Sequence, residues 1–484
     1  MYKIKIDVER QIAKIDRKIY GNFIEHLGRC IYGGIYEEGS ALSDKEAFRK
    51  DVLQAAQDLK VSILRWPGGN FSSGYHWQDG IGPKDSRPRK FDLAWFAEES
   101  NRFGTDEFVA YCRKLGAEPY ICINLGNGTL DEAAGWVEYC NATSNTYYAN
   151  LRRKYGHPES YRVKYWGLGN EIYGSWQSGH KNADDYAKEA LEFGKAMKWV
   201  DPEIKLVACG ANEPEWDQAI LEKLALLIDY ISIHFYVGSE DYYETLASTE
   251  MVEKRIKLLA SAIEIIKSKF KIEREIGIAV DEWNVWYRVG HVRGQIRQLE
   301  EVYNLRDALC VASFLNLFQR NSNWVTMANL AQMVNVIAPI LTSPDGFFQQ
   351  TIYFPLQLYI CHSGNITLDV WWDSDSFSSE KYSLKSVPYL DCAASLNEKE
   401  KTVVLSVVNR HREEDREFQI ELTGLNPEKV ALVHEINGKN PEVVNSFQEP
   451  ENVKIVEKKF NKVSSQFNYI FPAHSITMIK MKLI

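Results

Sequence analysis

Between residues 19 and 332 the chain repeats one pattern eight times: a short apolar run, then a longer amphipathic stretch. The runs are 20–25, 61–65, 119–125, 165–171, 205–210, 230–236, 276–282 and 325–332. They are almost continuously apolar, as parallel strands covered on both faces are. Among the intervening stretches, 44–59 sets Phe48, Val52, Leu53, Ala56 and Leu59 on one helical face. Residues 105–115 do the same with Phe108, Val109, Cys112 and Leu115, and Gly116 is placed to stop that helix. Stretches 184–200 and 252–270 follow the pattern at greater length. Eight such units predict an α/β fold closed as a (β/α)8 TIM barrel, whose active site collects at the C-terminal ends of the strands. The competing fold, an open doubly wound sheet, usually carries G-x-G-x-x-G after its first strand, and residues 20–27 lead into no such turn.

A chain of 484 residues exceeds one ordinary core, and the pattern changes near residue 350. Segments 402–408, 418–422, 430–436, 453–456 and 475–482 are short, strand-like and separated by Asn, Gly, Pro and charged residues. They predict a C-terminal antiparallel β-sandwich of jelly-roll type. Lys3 to Asp7 reads as a strand that joins it. The expected organisation is therefore an N-terminal strand in 1–15, a catalytic barrel in 16–345 and a sandwich domain in 346–484.

A net charge of −9 argues against a nucleic-acid or anionic-membrane partner, which needs clustered Lys and Arg. No apolar stretch approaches the ~18 residues of a membrane span, and the N-terminus does not read as a signal peptide. The eight cysteines are scattered without a C-x-x-C pair, so reduced thiols in a cytoplasmic protein are expected.

Two of the eight runs deliver a glutamate at the tip. Glu171 ends 165–171, within Trp166-Gly-Leu-Gly-Asn-Glu171, and Glu282 ends 276–282, within Val280-Asp-Glu-Trp-Asn-Val-Trp286. Read alone, Glu171 serves equally as a carboxylate at a helix N-terminus and Glu282 as the surface partner of a salt-bridged Asp281. Together they sit on the fourth and seventh of eight strands, nearly across the barrel mouth. Two carboxyls flanking one bond, one protonated and one ionised, are what glycoside hydrolysis needs. Trp166, Tyr173 and Trp176 beside one, and Trp283, Trp286 and Tyr287 beside the other, offer apolar faces for sugars, although many aromatics in such a chain are core. Other strand tips supply Glu25-His26, Arg65 to Asn70, His234-Phe-Tyr236 and Asn329 to Gln332. Arg65, near the end of an apolar strand, needs a carboxylate partner, and Glu282 would supply it. No H-E-x-x-H is present, Asp373-Ser-Asp375 lacks the rest of a calcium loop, and Gly126-Asn-Gly128 continues into acidic residues, so no metal or cofactor is expected.

The longer motifs carry a resemblance. Residues 20–36, Arg65-Trp-Pro-Gly-Gly-Asn-Phe71, residues 75–83, Gly167-Leu-Gly-Asn-Glu171 and Asp281-Glu-Trp-Asn-Val-Trp-Tyr287 resemble the α-L-arabinofuranosidases of glycoside hydrolase family 51, in matching order along the barrel. The resemblance implies a retaining, exo-acting enzyme that removes terminal non-reducing α-L-arabinofuranosyl units from arabinose-containing oligosaccharides. Glu171 matches the general acid/base and Glu282 the nucleophile. Asn170 matches the residue bonding the sugar 2-hydroxyl, and Glu25, Asn70 and Gln332 match positions holding other hydroxyls. Tyr236 and Arg65 match residues that orient the nucleophile, His234 lies beside the acid/base, and Trp176 and Trp286 match aromatics bordering the subsites. With the acid/base reading comes the expectation that the Glu171 carboxyl titrates high. The stretch after Tyr287 is short for the family, which would alter the aglycone side. A homo-oligomer, commonly a hexamer, is also implied. The alternatives are another specificity on the same site, β-xylosidase or endoglucanase, or a non-catalytic carbohydrate-binding protein. Binding alone would not need both glutamates.

Overall fold

A computed structural model describes residues 2–287, 299–424 and 426–484. The stretch after Tyr287 that was expected to be short lies largely outside the described residues. Eight parallel strands close a barrel in chain order: Gly21–Phe23, Ile63–Trp66, Glu118–Cys122, Tyr165–Leu168, Lys205–Cys209, Tyr230–Val237, Gly277–Val285 and Val325–Ala331. The eighth pairs back onto the first through Leu330 opposite Asn22.

Strand periodicity divides the barrel interior into layers. Ile63, Tyr120, Tyr165, Val207, Ala279 and Met327, with Tyr230 against them, form a small apolar plug. Two residues further along the same strands stand Arg65, Cys122, Gly167, Cys209, Asp281, Asn329 and Ser232. Because side chains alternate with a period of two, these face the same interior one layer higher. The plug is hydrocarbon and the layer above it is largely polar, so chemistry is confined to the upper end.

The seventh strand departs from this alternation. Ala279 pairs with Ser232 and Glu282 pairs with His234, so three steps on one strand match two on its neighbour. The extra residue is a β-bulge. It lets Asp281 and Glu282, adjacent in sequence, both reach the interior, where strict alternation would send one outward.

Helices surround the strands, among them Lys50–Asp58, Thr105–Leu115, Leu130–Asn141, Ala183–Val200, Pro214–Leu224, Tyr242–Phe270 and Leu305–Arg320. Their ends follow local chemistry. Asn304 and Asp307 form a reciprocal capping box at the start of Leu305–Arg320, and Gly116 adopts φ 73° to end Thr105–Leu115. A further helix, Tyr353–His362, packs against Leu305–Arg320 within the barrel's core. The sandwich was expected from 346, but its first C-terminal strand starts at Ile366. The helix was missed because it is buried almost all round, and so lacks the alternation of polar and apolar residues that marks a surface helix.

Apart from three two-stranded hairpins, the other strands form one nine-stranded sheet in the order Ile455–Phe460, Ala431–Ile436, Ser475–Lys482, Thr402–Asn409, Leu390–Asn397, Ile366–Trp372, Tyr2–Lys14, Arg416–Thr423, Gln466–Phe471. Every pairing is antiparallel except that of Tyr2–Lys14 with Arg416–Thr423. The sheet rolls over so that its edges meet: the Phe460 ring lies 5.7 Å from Phe467 and 5.2 Å from Tyr469. Alternation along Thr402–Asn409 puts Val403, Leu405 and Val407 inside the roll and Val404 and Val408 against the barrel core. Across that joint Arg320 bonds Asp391 and Glu253, and Arg410 bonds Glu250.

Candidate active site

Arg65 rises from the second strand into the centre of the mouth, 1% exposed. One terminal nitrogen donates to Glu282 Oε1 at 2.7 Å, and the other donates to Asn170 Oδ1 at 2.6 Å. The guanidinium therefore ties the second strand to the seventh and to the tip of the fourth. The other oxygen of Glu282 accepts from the Tyr236 hydroxyl at 2.7 Å.

Glu171 follows the fourth strand through a turn in which Gly169 has φ 79° and Glu171 itself φ 42°. The left-handed backbone swings its carboxyl back over the mouth. There Oε1 lies 2.9 Å from His234 Nδ1, and Oε2 accepts from the indole N–H of Trp176 at 2.8 Å. Trp176 is 62% exposed and stands on the rim. One donor atom each from Glu171, His234 and Glu282 lie within 4.8 Å of one another. A cation there would have to sit against the Arg65 guanidinium, which disfavours metal binding.

On the opposite side Glu25 is buried. Its Oε1 accepts from the Phe71 N–H at 3.1 Å and the Trp95 indole at 3.0 Å, and Oε2 accepts from Gln332 at 3.0 Å. Burial, followed by the charge of Glu282, pushes Glu25 up to about 8. Two N–H donors on Oε1 suit a carbonyl oxygen, leaving Oε2 to carry the proton. Gly69 forms the floor between these groups. A Cβ there would stand 3.2 Å from Glu282 Oε1, 3.5 Å from Glu25 Oε2 and 3.6 Å from Asn170 Nδ2. The Nδ2 of Asn170, Oε1 of Gln332 and indole nitrogen of Trp286 are buried without a hydrogen-bond partner among the described residues. Polar atoms left open in this way need a hydroxyl-bearing ligand or water.

The charges do not fall as expected on Glu171. Burial acts to raise it, but the hydrogen bond and charge of His234, the Trp176 N–H and Arg65 bring it below the ordinary carboxylate value. His234 moves the other way: burial would lower it, yet Glu282, Asp281 and Glu171 push it up to about 10. The two shifts run in opposite directions, so this contact favours an ionised Glu171 beside a charged His234.

All eleven residues singled out in the sequence have a place here. Arg65, Asn170, Glu171, His234, Tyr236 and Glu282 form one connected cluster, with Glu25 and Gln332 across the floor. The Trp286 ring packs edge-on to Tyr236 at 5.0 Å, and the Asn70 carbonyl lies 3.4 Å from Gln177 Nε2. Other tip residues turned away: His26 bonds Glu99 and accepts from Trp66, Asn329 bonds the Asn22 carbonyl, and Trp283 packs on Phe314 and Phe318 as core.

Comparison with known proteins gives this arrangement a family. A sequence profile of the α-L-arabinofuranosidase 1 domain matches residues 55–254, and one of the α-L-arabinofuranosidase C-terminal domain matches 281–475. Alpha-L-arabinofuranosidase C of Emericella nidulans is 42% identical over 99% of this chain and 97% of its own length. The chain belongs to the α-L-arabinofuranosidases of glycoside hydrolase family 51. The Bacillus subtilis protein named intracellular exo-α-(1→5)-L-arabinofuranosidase 1 is 39% identical over 88% of both chains. The solved α-L-arabinofuranosidase of Thermotoga maritima, in complex with arabinose, is 46% identical, with a TM-score of 0.94 over 100% of both chains. At 13% identity and a TM-score of 0.64, a bifunctional glucanase-xylanase shares the fold alone.

In this family 51 site the sequence reading missed Trp95 and Asp281. Trp95 arrives on the long connection after the second strand, 25 residues past Asn70 and away from any strand tip. Asp281 was visible beside Glu282, but alternation allows only one of two neighbours to face inward, and only the bulge lets both do so.

Proposed function

We propose that the protein is a retaining, exo-acting α-L-arabinofuranosidase that removes terminal non-reducing α-L-arabinofuranosyl units from arabinan- and arabinoxylan-derived oligosaccharides. The observation that carries the reading is the approach of Glu171 and Glu282, whose carboxylate oxygens lie within 4.8 Å of each other. Retaining glycosidases hold their carboxyls ~5–5.5 Å apart, whereas inverting ones leave ~6.5–9.5 Å for a water.

Glu282, oriented by Arg65 and Tyr236, attacks the anomeric carbon as the glycosidic C–O bond breaks. Glu171 gives a proton to the departing oxygen. In the second half water attacks the glycosyl-enzyme, Glu171 accepts its proton, and the bond to Glu282 is released. Asn170 lies beside Glu282 with Nδ2 open, where a 2-hydroxyl contact would strengthen as positive charge builds on the ring. Glu25, Trp95, Gln332 and the Gly69 floor close the far side, which supports cleavage of one terminal sugar at a time. Asn70 and Trp286 complete the walls, and Trp176 borders the leaving-group side.

Hydrolysis of p-nitrophenyl α-L-arabinofuranoside by wild type, Glu171→Ala and Glu282→Ala, each with added azide, tests the assignment. Both variants should collapse, and azide should rescue Glu171→Ala with net retention, giving an α-arabinofuranosyl azide, whereas any azide product of Glu282→Ala should be the inverted β-anomer. A wild type that cleaves only xylosides or glucans overturns the arabinofuranose reading and leaves the acids in place.

We also propose that the protein works in the cytoplasm, in keeping with the intracellular Bacillus subtilis relative. A homo-oligomer, as large as a hexamer, is supported by exposed Phe91, Leu93 and Phe96 on one loop. Light scattering in solution tests it.

A further inference from the structure

Asp281 has no part in the reaction as proposed, yet its side chain is 1% exposed and fully engaged. Its Oδ2 accepts from the Tyr120 hydroxyl at 2.7 Å, and its Oδ1 accepts from Ser232. Arg65 donates to the Asp281 carbonyl at 3.1 Å but makes no hydrogen bond to this carboxylate: Arg65 Nε stays 3.7 Å from Oδ2 and has no hydrogen-bond partner among the described residues. Instead Oδ1 faces His234 Nε2 at 3.3 Å. The opposite edge of the same imidazole presents Nδ1 to Glu171 Oε1 at 2.9 Å and to Glu282 Oε2 at 3.7 Å.

His234 thus has a carboxylate at each ring nitrogen. A neutral imidazole carries one N–H and could donate to only one of them, whereas the doubly protonated ring donates to both. The groups facing it are Glu171 from the fourth strand, Asp281 and Glu282 from the seventh, Arg65 from the second, and Ser232 and Tyr236 from its own. Three carboxylates against one guanidinium favour a second cation.

We propose that Asp281 is a positioning residue which, acting through His234, fixes where the proton shared by His234 and Glu171 resides, and so the pH at which Glu171 stops serving as an acid. This rests on Glu171 being the acid/base. The one-residue bulge of the seventh strand is what makes the arrangement available, since it turns Asp281 and Glu282 inward together. His234 and Glu171 share the proton on Nδ1 while Asp281 faces the other ring nitrogen, and a substrate arriving at Glu171 draws that proton across the 2.9 Å contact. The raised value of His234 agrees with this geometry.

The test compares pH profiles of kcat/KM for wild type, Asp281→Asn and Tyr120→Phe. Asp281→Asn keeps the shape and removes the charge, so its basic limb should move at least about one pH unit lower. At about pH 8 its kcat/KM, taken against its own plateau, should then be roughly tenfold below the wild-type ratio. Tyr120→Phe removes one donor from Asp281 and leaves its charge, so its limb should stay or move higher. A basic limb in Asp281→Asn that coincides with wild type overturns the proposal.

Heteronuclear NMR of the histidine ring nitrogens, with His234 assigned through His234→Gln, gives a readout on the unaltered protein. Both His234 nitrogens should remain protonated at about pH 8. A singly protonated ring there overturns the proposal even if Asp281→Asn does not fold. Failure of azide to rescue Glu171→Ala would instead remove the acid/base reading beneath it, so the two failures are distinguishable.

Discussion

Arg65 and Glu282 stand three strands apart around the barrel, yet their side chains meet at 2.7 Å with neither more than 6% exposed. The contact spans the mouth and is shared with Asn170, which takes the second arm of the guanidinium. Lysine would supply the charge but not the fork. Arg65→Lys should lower kcat/KM about 10²-fold on an aryl arabinofuranoside, comparable to losing one preorganised donor from an active site. Steady-state kinetics within threefold of wild type would contradict this.

Gly69 tests the floor of the site. A methyl group there would meet Glu282, Glu25 and Asn170 at 3.2 to 3.6 Å, in the space assigned to the sugar. Gly69→Ala should therefore raise KM and cut kcat/KM by at least about tenfold, as a misplaced contact beside the reacting atoms does. The melting temperature should hardly change. A variant that binds arabinose as well as wild type would show that the sugar sits elsewhere.

Glu25 gives a pH dependence with a definite sign. Its value rises from 4.5 to about 8 through burial and the charge of Glu282, so its neutral form is the one the fold prefers. The stability this contributes is complete below the unfolded value and is lost as pH rises through the folded one. Glu25→Gln, which stays neutral, should gain stability relative to wild type as pH climbs from about 4.5 to 8. Melting curves at a series of pH values measure the difference, and a gap that stays flat across that window rules the idea out.

Asp391 anchors the rolled sheet to the barrel. Its carboxylate lies 2.8 Å from Arg320 and 3.4 Å from Arg410, and Asn316 donates to it at 2.9 Å. Asp391→Ala leaves buried guanidinium charge partly unmatched and should cost about 3 kcal/mol or more of unfolding free energy. Denaturant titration measures that. The folded variant should keep its kcat at 25 °C, because none of these groups touches the mouth. Loss of kcat without loss of stability would mean that the joint communicates with the site.

What the sequence disclosed follows from which forces are local. The strands were legible because both faces are covered and their apolar runs are unbroken. Glu171 and Glu282 were legible because each ends such a run. That Asp281 and Glu282 both reach the interior was not, since a bulge is a property of two strands read against each other. Trp95 was hidden for a similar reason: its hydrogen bond to Glu25 spans 70 residues. The helix Tyr353–His362 lacks surface periodicity because it is enclosed between the barrel and the sheet. The opposite shifts of His234 and Glu171 depend on carboxylates brought together from the fourth and seventh strands, which no single segment reveals.

The strand Tyr2–Lys14 lies between Ile366–Trp372 and Arg416–Thr423, so both of its neighbours are made long after it. On a ribosome the whole barrel is synthesised while this first segment still has an open hydrogen-bonding edge on either side. Closure of the rolled sheet is therefore a late event that joins Tyr2–Lys14 to strands made after the whole barrel, with a correspondingly high contact order. Any fusion or truncation at the front of the chain acts on the domain built last.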